Sequence, residues 1–168
     1  MEINMAEEIT RETFLKEWTE TKKMMTAHMD GQKTLCDTMG IARKDLGVLY
    51  QNAYNAFQAE DYPQAETLFF SLFLWNCKDY SFQVGLGATY EAQEKFDNAL
   101  AMYTLAMMTK EQEPELLFRT GKCLLAMGKK SEAKIVFEIA GEATGGGNNF
   151  ARLGSIEKSR NILTLLTD

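Results

Sequence analysis

The sequence predicts an all-α fold, a superhelical array of three helix hairpins between an N-terminal helical arm and a C-terminal capping helix. The main observation is an internal repeat: Ala65, Ala99 and Ala133 recur at a constant spacing of 34 residues, each within an apolar three- and four-residue pattern. The second is that the 168 residues include only two prolines, which favours long uninterrupted helices. A chain of this length can bury one core without a disulfide or metal.

Each 34-residue unit is predicted to form two helices joined by a short turn, because apolar residues recur at helical spacing on both sides of a polar break. A small residue, Ala53, Gly87 or Gly121, stands twelve positions before the repeated alanine and indicates close approach of the two helices. Pro63 and Pro114 fall at predicted helix starts, where proline costs no helix hydrogen bond. The predicted units are residues 46–79, 80–113 and 114–147.

The middle unit carries a recognisable repeat motif. Leu86-Gly87-x-x-Tyr90, followed by Ala99-x-x-x-Tyr103, resembles the tetratricopeptide pattern of L-G-x-x-Y and A-x-x-x-F at this period. Tetratricopeptide hairpins stack into a superhelix with an extended concave binding surface. We expect the first helix of each unit to form most of that inner wall.

Helical segments are also predicted on both sides of the repeats. Residues 1–45 form an arm whose main helix ends near Asp30-Gly31, with a short second helix over Lys33–Met39. Residues 148–168 are predicted to form a capping helix after a flexible linker, Gly145-Gly146-Gly147, because the last unit would otherwise expose its stacking face. The arm presents one apolar stripe, formed by Phe14, Trp18, Met25 and Met29.

Charge and composition argue against several classes of function. The formal net charge of −6 and the scattered basic residues disfavour a nucleic-acid partner. No apolar stretch approaches the roughly 20 residues needed to span a bilayer, and the acidic start of the chain lacks the pattern of a secretory signal. We therefore expect a cytoplasmic protein without membrane insertion, in which Cys36, Cys77 and Cys123 are reduced thiols.

Reactive groups are few. His28 is the only histidine, so the chain cannot build a two-histidine metal site, and no serine or cysteine has a histidine close by in sequence. The glycine cluster at 145–147 lacks the Lys-Ser/Thr that follows a phosphate-binding loop. We expect no catalytic residue, no metal ligand and no cofactor.

The predicted inner wall is mostly apolar and aromatic. Positions 5, 9 and 12 of each first helix lie on one helix face. They are Tyr50, Tyr54 and Phe57 in the first unit, Val84, Ala88 and Glu91 in the second, and Phe118, Lys122 and Leu125 in the third. Such a wall predicts a groove for an extended peptide with spaced apolar side chains. Alternatively, the three aromatic residues of the first unit pack beneath the N-terminal helix.

Two stretches of the sequence resemble a known family. Residues 49–76, LYQNAYNAFQAEDYPQAETLFFSLFLWN, and residues 82–108, FQVGLGATYEAQEKFDNALAMYTLAMM, are similar to the class II chaperones of bacterial type III secretion systems. The likeness covers about residues 32–140. It implies a bacterial cytoplasmic chaperone that binds hydrophobic translocator proteins through a short proline-flanked apolar segment, held in the groove.

The resemblance also implies self-association through the arm, giving a homodimer when no client is bound. The candidate contacts are Phe14, Trp18, Met25 and Met29, or an apolar edge formed by Phe70, Phe73 and Leu74. A general tetratricopeptide adaptor, which joins two folded proteins without protecting an unstable client, is the alternative function. A regulatory or catalytic protein is the third.

Overall fold

The computed structural model describes residues 10–29, 31–109, 113–142 and 150–166, with side chains except at 25–29 and 150–152. Within these ranges the chain forms nine α-helices, one 3₁₀ helix and no strand, which confirms the predicted all-α fold. The helices are α1 (Arg11–Met29), α2 (Leu35–Met39), α3 (Gly47–Gln58), α4 (Tyr62–Trp75), α5 (Tyr80–Ala92), α6 (Phe96–Thr109), α7 (Pro114–Ala126), α8 (Lys130–Glu142) and α9 (Phe150–Leu166). The 3₁₀ helix, Arg43–Leu46, leads into α3.

Three hairpins, α3–α4, α5–α6 and α7–α8, make up the repeat array. Their turns are equivalent, since Glu60, Glu94 and Gly128 each stand at the same position and take positive φ values of 60°, 59° and 77°. Each turn is closed by a backbone hydrogen bond to the first helix, such as Lys95 N–H to Tyr90 O at 2.9 Å. The left-handed backbone at this position directs the next N–H group towards a carbonyl that the end of the helix leaves without a partner.

The side chain of Asp61 caps the second helix of the first unit by accepting from the Gln64 N–H at 3.2 Å, next to Pro63 in the first turn. The short helix α2 starts at Leu35, two residues later than predicted, because Thr34 serves as its N-cap. The domain division at residues 45 and 147 stays a prediction, and the glycine linker lies outside the described residues.

The repeated small residues bring the helices of a hairpin into close contact. A Cβ added at Gly87 would lie 2.6 Å from the Tyr103 ring, and one at Gly121 would lie 2.6 Å from the Phe137 ring. Both rings are fully buried. In the first unit the equivalent position is Ala53, and the buried ring of that unit lies instead against Gly85 of the next unit. The predicted spacing of small residues therefore reflects the packing of aromatic rings.

The two terminal helices cover different parts of the array. Helix α1 packs against α6 and α8, which are second helices of their units, and Arg11 forms a salt bridge with Glu142 at the end of α8. Helix α9 packs against α7 and α8, and its Arg160 guanidinium donates two hydrogen bonds, of 3.1 and 2.8 Å, to the Gly141 carbonyl. The C-terminal helix thus caps the last hairpin, as predicted.

The described residues include three free cysteines, of which Cys36 and Cys123 are buried and Cys77 is half-buried. In the same part of the chain, no group of three or more His, Cys, Asp and Glu side chains is placed to hold a metal ion. Among the described helices, none has the length and apolarity that crossing a membrane requires. The side chain of His28 lies outside the described residues.

Candidate peptide-binding groove

The first helix of the array, α3, presents its three predicted aromatic residues at successive turns. The Tyr50 ring is half-buried, with its centroid 5.9 Å from that of Phe69 and 5.9 Å from that of Phe82. Phe57 makes an edge contact with Tyr62 at 5.7 Å. Tyr54 lies between them and is 46% exposed. The row therefore combines two anchored rings with one ring that is free to meet a ligand.

The alternative was that these rings pack beneath the N-terminal helix, and in the described part of the chain the Tyr50 ring does not. Helix α1 lies on α6 and α8, whereas the Tyr50 ring packs against α4 and α5. The α3 row therefore stays a predicted part of the inner wall, together with Val84 and Ala88 on α5, whose side chains are half-buried. Leu125 on α7 is half-buried and packs against the core of the second and third units.

Glu91, predicted as a wall residue, joins the second unit to the third. Its carboxylate accepts hydrogen bonds from the Tyr103 hydroxyl at 2.6 Å, the Lys122 ammonium at 2.8 Å and the Arg119 guanidinium at 3.3 Å. Arg119 also donates to Glu115 one turn earlier on α7. We call these five side chains the Glu91 cluster. Through Lys122 and Arg119 the cluster links α5 to α7, so the Glu91 carboxylate is engaged by partners within the chain.

Electrostatics keep Glu91 ionised although its side chain is only 13% exposed. Burial opposes the charged form, but the hydrogen bonds from Lys122 and Tyr103 and the charges of Lys122 and Arg119 outweigh it and lower the pKa of Glu91. Burial and the neighbouring Glu91 charge raise the pKa of Tyr103, so this hydroxyl remains a proton donor. The cluster is therefore a charged network in which the Glu91 carboxylate is held by three hydrogen-bond donors.

The third helix of the wall, α7, contributes Phe118, which is half-buried with its ring centroid 6.0 Å from that of Phe137. Two ammonium groups lie near this ring. Lys122 is 6.0 Å from the centroid and Lys158, from α9, is 5.9 Å from it. These distances are within the range of cation–π contacts. The capping helix therefore places a side chain beside Phe118.

Two cations beside the groove were missed by sequence reasoning. Arg43 lies over the Phe82 ring at 5.4 Å and forms a salt bridge with Asp79. Lys158 lies over Phe118. Neither residue belongs to the 34-residue pattern, because Arg43 precedes α3 and Lys158 follows the last unit. No spacing in the sequence could have located them.

The N-terminal half of the apolar stripe, Phe14 and Trp18, lies against its own chain. Phe14 and Trp18 are partly buried against the core of the second and third units, and they border a cavity of about 540 Å³ between α1, α6, α7 and α8. Leu117 and Val136 also line this cavity. Met25 and Met29, the other residues predicted for dimerisation, have side chains outside the described residues. Dimerisation through the stripe stays a prediction.

Comparison with known proteins identifies the family. No protein-family model matches the sequence. The chaperone protein SicA of Salmonella dublin is 30% identical over 111 residues, which span 66% of this chain and 67% of SicA. The translocator chaperone SycD of Yersinia enterocolitica has the same fold, with a TM-score of 0.69 and 28% identity over 76% of this chain and 86% of SycD. The chain belongs to the class II chaperones of type III secretion systems.

A second relative of this secretion chaperone supports the assignment. The low calcium response locus protein H of Yersinia pseudotuberculosis is 30% identical over 118 residues, 70% of either chain. SycD has been solved in complex with a peptide of the translocator YopD, and also as an alternative dimer. The family and the tetratricopeptide-like fold expected from residues 49–76 and 82–108 are thereby confirmed.

Proposed function

We propose that this secretion chaperone acts in the bacterial cytoplasm, where it binds an extended apolar segment of a hydrophobic translocator protein in the groove formed by α3, α5 and α7. The observation that carries the proposal is the aromatic row on α3, with Tyr54 exposed between two anchored rings. The complex of the related SycD with a YopD peptide supports the choice of ligand.

The groove stabilises such a complex by removing apolar surface from water. Burial contributes about 25 cal/mol for each Å² of apolar surface, and the part that exceeds the cost of ordering the segment appears as binding free energy. A translocator exposes membrane-inserting segments that would otherwise aggregate, and masking a segment requires no covalent step. The proposed action is therefore stoichiometric binding without catalysis, metal or cofactor.

Calorimetric titration with the YopD peptide tests the groove. Replacing Tyr54 by Ala removes the exposed ring, and we expect this change to weaken binding by about 1 to 3 kcal/mol. Val48→Ala is the matched control, because Val48 lies on the same helix, is 75% exposed and points away from the row. Equal affinities of Tyr54→Ala and the unaltered chain would place the peptide elsewhere.

Coexpression separates the chaperone from the alternative, a general adaptor. A chaperone should raise the soluble yield of a coexpressed translocator, and Tyr54→Ala should lose that effect while Val48→Ala retains it. An adaptor would bind a folded partner and leave the yield of the translocator unchanged.

We also propose that the client-free chaperone forms a homodimer through the arm, with contacts from Phe14, Trp18, Met25 and Met29. The dimers formed by SycD support self-association. Because Phe14 and Trp18 lie against α6–α8 of their own chain, an arm that exchanged between protomers could make the same contacts in the partner. Light scattering of a chain lacking residues 1–30 tests this proposal, and a mass equal to two shortened protomers would contradict it.

A further inference from the structure

The end of the groove at Phe118 differs from the end at α3 in its charge. At the α3 end, the cation Arg43 is matched by Asp79, with which it forms a salt bridge. At the Phe118 end, two ammonium groups lie 6.0 and 5.9 Å from one ring centroid. The inner wall is therefore asymmetric, with its second cationic region at the side of the capping helix.

The cations near Phe118 outnumber the carboxylates that bind them. Arg119 and Lys122 share Glu91, and Glu115 binds Arg119 from the other side. Lys158 forms no salt bridge with any residue in the described part of the chain, and its ammonium group lies over the Phe118 ring. Of these three cations, only Arg119 and Lys122 form salt bridges among the described residues, on a chain whose formal net charge is −6.

The position of Lys158 suits recognition of a peptide. An ammonium group held over an aromatic ring stands directly beside any apolar side chain that packs on the rest of that ring. A carboxylate in the neighbouring residue of the peptide would then reach Lys158, whose charge is not already neutralised by a salt bridge. The Lys122 ammonium adds to the same local field but is bound to Glu91 at 2.8 Å.

We propose that Lys158 makes the Phe118 end of the groove select a client segment in which an acidic residue adjoins an apolar one. The selection fixes the direction of the bound segment, with its acidic end towards α9 and its purely apolar part on α3. It also makes the capping helix part of the recognition surface. This inference rests on the proposed binding of translocator segments in the groove.

A positional set of labelled YopD peptides tests the selection. Each peptide carries one Asp, and its matched partner carries Asn at the same place. We expect one stretch of positions at which the Asp peptide binds the unaltered chaperone about two- to fivefold more tightly than the Asn peptide, as for a solvent-exposed ion pair. The preference should shrink as salt is added.

Charge reversal gives the decisive comparison. Lys158→Gln should remove the preference for Asp, and Lys158→Glu should reverse it, while Lys130→Gln, an exposed lysine at the start of α8, should leave it unchanged. If Lys158→Gln keeps the preference, or no position shows one, the inference is overturned although the groove still binds peptides. If no peptide binds the unaltered chain, the proposed function itself fails, and the inference falls with it. Circular dichroism of each variant checks that the helices are retained.

Discussion

The close contact between Gly87 and the Tyr103 ring predicts a steric cost for any larger side chain at this position. Gly87→Ala would place a methyl carbon 2.6 Å from the Tyr103 ring, about 1 Å inside the usual carbon–carbon contact distance. The ring is fully buried, and its hydroxyl is held by Glu91 at 2.6 Å. Moving the ring would therefore disturb the Glu91 cluster. We expect a steric cost of about 1 to 3 kcal/mol.

A second effect acts in the opposite direction, because Ala favours a helix over Gly by about 1 kcal/mol. Gly154→Ala in α9 isolates this effect, since a Cβ at Gly154 would meet no heavy atom within 4 Å. The two variants share the helix gain and differ in the steric cost. Gly87→Ala should therefore be less stable than Gly154→Ala by about 1 to 3 kcal/mol.

Urea unfolding followed by circular dichroism measures this difference. Gly154→Ala should raise the free energy of unfolding slightly, and Gly87→Ala should leave it unchanged or lower it. Equal stability of the two variants would show that the Tyr103 ring can move aside at no cost. The packing explanation of the repeated small residues would then be wrong.

Three further predictions concern the Glu91 cluster, the turns and the arm. Glu91→Gln should lower the free energy of unfolding at neutral pH by about 1 to 3 kcal/mol. Because folding lowers the pKa of Glu91, this loss of stability should be full above the unfolded pKa of about 4.3 and should shrink as the pH falls through the folded pKa. A loss that does not change with pH in urea titrations would refute the ion-pair account. Left-handed backbone strains any residue but glycine, so Glu94→Gly, at a φ of 59°, should stabilise the fold by up to about 1 kcal/mol, and Gly128→Ala, at the equivalent turn, should destabilise it by about as much. Thermal unfolding that ranked the two variants in the reverse order would contradict this reasoning. In a Trp75→Phe variant, whose one tryptophan is Trp18, fluorescence should change at a lower urea concentration than the circular dichroism of the helices, because α1 packs on the array along one face only. Coincident transitions would mean that the arm unfolds with the core.

The sequence predicted the repeat and much of its packing. The 34-residue spacing of Ala65, Ala99 and Ala133 predicted equivalent places in three hairpins. The structure places them in α4, α6 and α8, and all three are fully buried. The resemblance in residues 49–76 and 82–108 led to the family, which the comparisons confirm. Periodic contacts of this kind lie between neighbouring helices and recur in every unit, so they leave a regular signal in the chain.

Other features were decided only by tertiary structure. Glu91 was predicted for the inner wall from its position in the first helix of the second unit. Its partners on α6 and α7, however, depend on how those helices are rotated. The arm could have covered α3, and it lies instead on α6 and α8. Lys158 reaches Phe118 because α9 packs against α7 and α8. Each of these contacts is made once, between segments distant in sequence, and a contact that does not repeat leaves no period from which it could be predicted.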